Sequence, residues 1–270
     1  MSETLLRSVT ILVLSTLIGI IFIFGNNLSF IITTFVISSY AFYEWISFTS
    51  KSKLYFLFFT FLIIAIYYLP FSNIKFLSIA TLSIWSVLIV LMLFFTTSLK
   101  YLIKKYSNLF GFFIVIPFFY HLVNFFSNNN ISNDADFLLD AKYSLLLFIL
   151  LLSIIDIFSY LSGKMFGSVK IVPHISPNKT VEGFIGGYIS TVIITIVSFE
   201  ILLIEWLFVD LLYLSLLIFF AFMGDLFMSI VKRTFEIKDT GNLLPGHGGL
   251  LDRLDSYFPS ISLFSLWVIV

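Results

Sequence analysis

Cysteine is absent from this 270-residue chain, which excludes a disulfide scaffold, thiol catalysis and cysteine-ligated zinc in one step. Oxygen-ligated metals are left as the natural inorganic partners. Charge is scarce too: Asp, Glu, Lys and Arg make up 11% of the residues, less than half the roughly 25% of an ordinary soluble domain. With so little polar surface the chain fits neither a disordered segment nor a nucleic-acid-binding module. Neither sign of charge is in excess, with 15 basic residues against 15 acidic, so the placement of the charges has to carry the information. Internal repeats and low-complexity linkers are lacking as well.

What fills the chain is apolar: 60% of residues are hydrophobic, 35 of them phenylalanine, and the mean hydropathy is +1.08. A helix needs about 20 apolar residues to cross about 30 Å of hydrocarbon. Runs of that order fall at 5–24, 28–49, 54–70, 76–98, 108–127, 143–162, 181–204, 207–229 and 256–270, the last being short for a full span. The sequence thus predicts an all-α polytopic integral membrane protein with about nine transmembrane helices. Three blocks follow from it: helices one to four over 1–106, a middle helix and polar loop over 107–142, and a catalytic region over 143–270 with two cytoplasmic loops, 163–180 and 230–256. The first run carries Glu3 and Arg7, lacks a small-residue cleavage site and meets a second full-length run after Gly25-Asn26-Asn27. It reads as a retained helix and not a signal peptide.

Orientation follows from the basic residues of alternate loops. An N-terminus in the cytoplasm gathers 13 on that side, among them Arg7, Lys51, Lys53, Lys100, Lys104, Lys105, Lys164 and Lys170, and leaves only Lys75 and Lys142 opposite. The opposite side holds the one long polar loop, Asn128 to Asp140, with Asp134 and Asp136.

Both loops that carry polar chemistry fall on the basic side. In the second, Asp225 ends a long apolar helix, and Asp252 and Asp255 lie one helical turn apart, a spacing that puts two carboxylates on one face. Acids so close to hydrocarbon are functional candidates by default. Interleaved with Lys232, Arg233, Lys238 and Arg253, they have the composition of a metal-plus-phosphate site, in which hard oxygens hold Mg²⁺ and basic side chains hold phosphate oxygens. Gly246-His247-Gly248-Gly249 adds backbone N–H groups able to form an anion nest. In the first loop Ser176-Pro177-Asn178-Lys179-Thr180 reads as a turn whose Thr180 caps the next helix. Glu182 stands beside it, and Gly183, Gly186 and Gly187 permit close approach of a helix or a phosphate. Asp156 and Tyr160 are expected to face the same space. His121 and His174 read as structural, the Phe-rich stripes as lipid-facing or core, and Glu44-Trp45 as part of an interfacial belt.

The run from Ser229 to Asp255, with Ser-x-x-Lys-Arg, Lys-Asp, Pro-Gly-His-Gly-Gly and Asp-Arg-Leu-Asp, resembles the signature of the phosphatidate cytidylyltransferase (CDP-diacylglycerol synthase) family. The first loop is similar to that family's other stretch, departing from it at Ser159, Lys164 and Ser168. The resemblance implies transfer of a cytidylyl group from CTP to phosphatidic acid, giving CDP-diacylglycerol and pyrophosphate in phospholipid biosynthesis. It also implies a homodimer in the bilayer, a Mg²⁺ centre with room for a second metal or a monovalent cation, and an active site facing the cytoplasm, the membrane being the plasma membrane if the source is bacterial. By position Asp225, Asp252 and Asp255 resemble metal ligands, and with Lys232 and Arg253 the catalytic set. Ser176, Pro177, Lys179, Thr180, Glu182, Ser229, Arg233, Lys238, Asp239, His247, Gly248 and Gly249 resemble substrate contacts. The alternatives are the same transfer to another lipid phosphate, such as that of an isoprenoid ether lipid, or a cation-coupled transporter, for which acids at the bilayer midplane would be the marker.

Overall fold

A computed structural model of the chain describes residues 16, 18–50, 52, 54–67, 74–127, 141–246 and 248–269. Most of the expected first run with Arg7, the residues Lys51, Lys53 and His247, and the polar loop with Asp134, Asp136 and Asp140 lie outside the described residues. Within them run α1 (Asn27–Thr49), α2 (Leu54–Tyr67), α3 (Ile74–Phe94), α4 (Thr96–Lys105), α5 (Ser107–Ser127) and α6 (Ala141–Phe166). A hairpin of β1 (Lys170–Val172) and β2 (Ser176–Thr180) follows, then α7 (Val181–Ile201), α8 (Phe208–Thr234), α9 (Leu251–Leu254) and α10 (Tyr257–Ile269). Six of these, α1, α3, α5, α6, α7 and α8, are long and apolar enough to cross a membrane. Large apolar side chains such as Ile32, Phe76, Ile193 and Ile201 are exposed along them, a surface that only lipid or another apolar partner suits. The chain is a polytopic membrane protein.

Three expected runs take another form. The run at 54–70 yields a 14-residue helix, α2. The run at 76–98 is broken at Phe95, after which α4 turns its buried Leu99 and Ile103 inward and leaves Lys104 and Lys105 exposed. That is the pattern of a helix lying along a membrane surface. The run at 256–270 yields α10, whose 13 residues reach about 20 Å at 1.5 Å each. This helix packs against α3, α5, α6 and α8, and Phe258, Ile261, Leu263 and Phe264 on it are buried. A helix apolar on every side belongs in the interior. Aromatic contacts fix it there: Phe118 to Phe258 at 5.2 Å, Phe148 to Phe264 at 4.8 Å and Phe148 to Tyr257 at 5.5 Å between ring centroids. Near its far end Trp267 Nε1 donates to Asp210 Oδ1 of α8 at 2.7 Å.

The most extensive helix pair is α6 with α7, and small residues explain it. Gly183, Gly187, Thr191 and Thr195 recur every fourth position on the buried side of α7, which lets two backbones approach closely. A Cβ on Gly183 would stand 2.8 Å from the Ser159 carbonyl oxygen and 3.3 Å from Gly163 Cα. The hairpin is antiparallel, pairing Lys170 with Thr180 and Val172 with Ser176. It replaces the simple turn expected at 176–180 and delivers Lys179 and Thr180 directly to the start of α7. Gly183→Ala is accordingly expected to force α6 and α7 apart and to destabilise the protein by about 1–3 kcal/mol, read as a lower unfolding temperature in detergent. Gly19→Ala, with nothing within 4 Å of the added methyl, is expected to leave that temperature unchanged.

Candidate active site

Charges from β2, α6, α8 and the segment around α9 meet at one end of the bundle. Gly224 makes the meeting possible, because a Cβ there would lie 2.3 Å from the Asp255 carbonyl oxygen and 2.7 Å from Pro259 Cγ. Asp225 follows it on α8, and Lys179 Nζ of β2 stands 2.5 Å from Asp225 Oδ2. The same ammonium lies 4.8 Å from the centroid of the Phe222 ring, one turn earlier on α8, a cation–π contact that helps hold it in place. Asp156 on α6 is accessible and feels the charges of Asp225, Lys179 and Arg253. Burial pushes the Asp255 carboxyl well above the usual carboxylate range, and the neighbouring charges of Asp225 and Asp156 push it further, while Lys179 and Lys232 pull the other way.

Asp252 sits in a different setting, although it lies only three residues from Asp255. Its Oδ1 pairs with Lys232 Nζ of α8 at 2.7 Å. Its Oδ2 accepts from Thr240 N at 2.8 Å, Thr240 Oγ1 at 3.1 Å and Gly249 N at 3.1 Å. One carboxylate thus ties α8 to both arms of the 240–249 loop. Gly248, with φ +85°, has the left-handed backbone that closes this loop, and a Cβ there would stand 2.9 Å from Asp252 Oδ2. The facing pair expected of Asp252 and Asp255 is therefore split: Asp255 shares its surroundings with Asp225 and Asp156, and Lys232 lies between the two groups.

Other expected site residues have definite places. Thr180 caps α7, its Oγ1 accepting from Gly183 N at 3.1 Å. Glu182 turns to the segment before the hairpin, accepting from Ser168 Oγ and from Val169 N at 3.1 Å; it braces the first loop. Arg233 Nε donates to the Ile175 carbonyl at 3.3 Å, fastening the hairpin turn to the end of α8. Ser176 and Ser229 are half-buried, Pro177, Lys238 and Asp239 are exposed, and Gly249 is buried against Glu44 and Thr240.

Such an arrangement can hold a phosphate-bearing ligand by cations anchored on carboxylates, which is the usual chemistry of anion recognition. The acids are all hard oxygen donors of the kind Mg²⁺ takes. Three of them, Asp156, Asp225 and Asp255, repel one another across a shared space, and a divalent cation would relieve that repulsion. Among the described residues no three His, Asp or Glu side chains stand as a ready ligand cluster. The donor chemistry fits the ion; in this arrangement Lys179 and Lys232 supply the counter-charge.

Sequence reasoning missed Glu44, read as a belt residue beside Trp45. Both are buried, Glu44 at 2% exposure and Trp45 at 0%, and Glu44 reaches the 240–251 loop. A signal was present: an acid inside an apolar run is costly unless something answers it. Thr240, which no motif marks, has the same standing. Asp156 lies where the sequence put it.

Residues 5–270 match the model of the group described as the Cytidylyltransferase family. The chain is 41% identical over 133 residues to a phosphatidate cytidylyltransferase of Staphylococcus haemolyticus, an alignment covering 48% of this chain and 50% of that one. It is 38% identical over 150 residues to the protein of that name in Rickettsia bellii, covering 53% and 61%. With the one in Bacillus subtilis it shares 43% over 100 residues, 37% of each chain. The chain spans about half the length of the curated relatives it matches. The family match, by contrast, runs along almost the whole sequence and takes in every residue of the cluster around Asp225 and Asp252, so this chain belongs to the cytidylyltransferase family.

Proposed function

We propose that this protein transfers the cytidylyl group of CTP to the phosphate of phosphatidic acid, yielding CDP-diacylglycerol and pyrophosphate. The observation that carries the reading is the gathering of Asp156, Asp225 and Asp255 with Lys179, Lys232 and Arg253. It sits at the membrane end to which the basic loops belong and is flanked by exposed apolar helix faces. Acids at a helix end beside phosphate-type cations suit nucleotidyl transfer better than ion transport through the midplane. The names of the relatives point the same way. Cytoplasmic placement of that end, by the excess of Lys and Arg there, and a homodimer belong to this proposal.

The chemistry asks little of a base. A phosphate monoester has a second pKa near 6, so a phosphatidate oxygen is already a nucleophile at neutral pH. It attacks the α-phosphorus of CTP; the bond from that phosphorus to the α–β bridging oxygen breaks, and the electron pair leaves with pyrophosphate. The site must align these groups and offset about four negative charges on CTP. Lys179 and Ser176 hold the lipid phosphate beside the hairpin, while Lys232, Arg233 and Arg253 face the triphosphate and stabilise the departing pyrophosphate. Asp225 and Asp255 would hold magnesium, and Asp252, paired with Lys232, would stand on the preceding turn beside them. When bound, that ion supplies charge neutralisation and orientation of phosphate oxygens.

Pyrophosphate release by the detergent-purified protein, given CTP, Mg²⁺ and phosphatidate, is expected to need all three, and release without lipid would overturn the transfer. Asp225→Asn and Asp252→Asn are expected to lower turnover roughly 10²-fold, and Asp225→Asn also to shift the Mg²⁺ dependence upward. A Mg²⁺ dependence like that of the wild type would defeat the ligand assignment. Lys179→Ala is expected to raise the apparent KM for phosphatidate more than that for CTP; the reverse order would move Lys179 to the nucleotide.

A further inference from the structure

Glu44 is an acid of the first block of helices, about one turn from the end of α1, yet its carboxylate is spent entirely on the 240–251 loop. Oε1 accepts from Leu250 N at 2.9 Å, and Oε2 accepts from Leu251 N at 2.9 Å. Thr240 Oγ1 lies 3.3 Å from Oε2 and 3.1 Å from Asp252 Oδ2. A hydroxyl has one proton to donate, so Thr240 links the two carboxylates through a single shared donor. Two glycines are shaped around Glu44: a Cβ on Gly241 would stand 2.5 Å from Oε1, and one on Gly249 would stand 2.6 Å from Oε2. Its height in the bundle is set by the next residue, since Trp45 Nε1 donates to the Ser107 carbonyl of α5 at 2.8 Å and its ring fills the space Gly111 leaves.

We infer that Glu44 is a positioning residue for the reaction: it clamps the loop between Thr240 and Leu251 and through it sets the Asp252–Lys232 pair. This rests on the cytidylyl-transfer reading of the site. The carboxylate touches neither Lys232 nor Asp252; it holds the backbone at Leu250 and Leu251, immediately before Asp252, and shares the Thr240 hydroxyl. Displacing catalytic groups by about 1 Å costs on the order of 10²-fold in rate, which is the size of effect such a clamp governs. A buried carboxylate answered by two backbone N–H groups, with a share in one hydroxyl, is a firm anchor.

The test is Glu44→Gln, which keeps size and shape but sets an amide NH₂ against one of the two backbone N–H groups. Two readouts are taken on the full-length protein in detergent: amide exchange across 240–252, and kcat and KM for both substrates. Exchange at Leu250 and Leu251 is expected to quicken about tenfold with the rest of the bundle unchanged. The kcat is expected to fall about 10²-fold with both apparent KM values nearly unchanged. Unchanged exchange overturns the clamp; faster exchange with wild-type kcat overturns the positioning role. Should Glu44→Gln fail to fold, Thr240→Val removes only the shared hydroxyl, and wild-type exchange and kcat in that variant overturn the inference. If the wild type itself releases no pyrophosphate with phosphatidate, the proposed reaction fails while amide exchange still decides the clamp.

Discussion

A carboxylate next to hydrocarbon has to be answered, and the way Asp252 is answered organises the rest of the site. With Lys232 on one oxygen and two backbone amides and a hydroxyl at the other, it closes the 240–249 loop. Leu244 pairs with Gly248 across the tip, but the base of the loop is held by charge. Glu44 answers the same need from the other side. The two acids lie 208 positions apart in sequence and serve one turn of backbone, so the N-terminal helices help to hold the loop that carries Asp252.

The bundle makes this possible by placing a short apolar helix on the inside. With α10 enclosed by α3, α5, α6 and α8, the segment just before it, including Asp252 and Asp255, is fixed against Gly224 and the acids of α8 and α6. Close backbone contact recurs at each point where polar chemistry is placed. Gly183 against Ser159 sets the start of α7, Gly224 against Asp255 joins two acids, and Gly111 against Trp45 sets the level of Glu44.

Much of this was legible in the residues, because long apolar runs report directly on which segments form long helices. The six long helices, the Thr180 cap and the shared surroundings of Asp156 and Asp225 follow from such local signals. What was not legible depends on contacts across sequence. No pattern distinguishes a Phe95 that breaks a helix from one that continues it, nor an α10 that ends up enclosed from one that meets lipid. Asp252 and Asp255 have the spacing of a facing pair, yet α9 ends between them and their partners differ. Glu44 looked like an edge residue because its partners are backbone amides, which carry no sequence signature. Glu182 illustrates the converse: it stands in a motif, and its carboxylate is committed to Ser168 and Val169.

The Lys179–Asp225 and Lys232–Asp252 pairs give the site the character of an ion exchanger kept in its internal salt form. Each of these two ammonium groups already has a counter-ion before any ligand arrives, and the pairing offsets part of the desolvation cost of the charges. An anion that takes either of these ammonium groups displaces its carboxylate, and the free energy of that event is the difference between two ion pairs. Groups of higher charge density than a carboxylate are favoured in such an exchange, phosphates above all, and uncharged molecules have nothing with which to enter it.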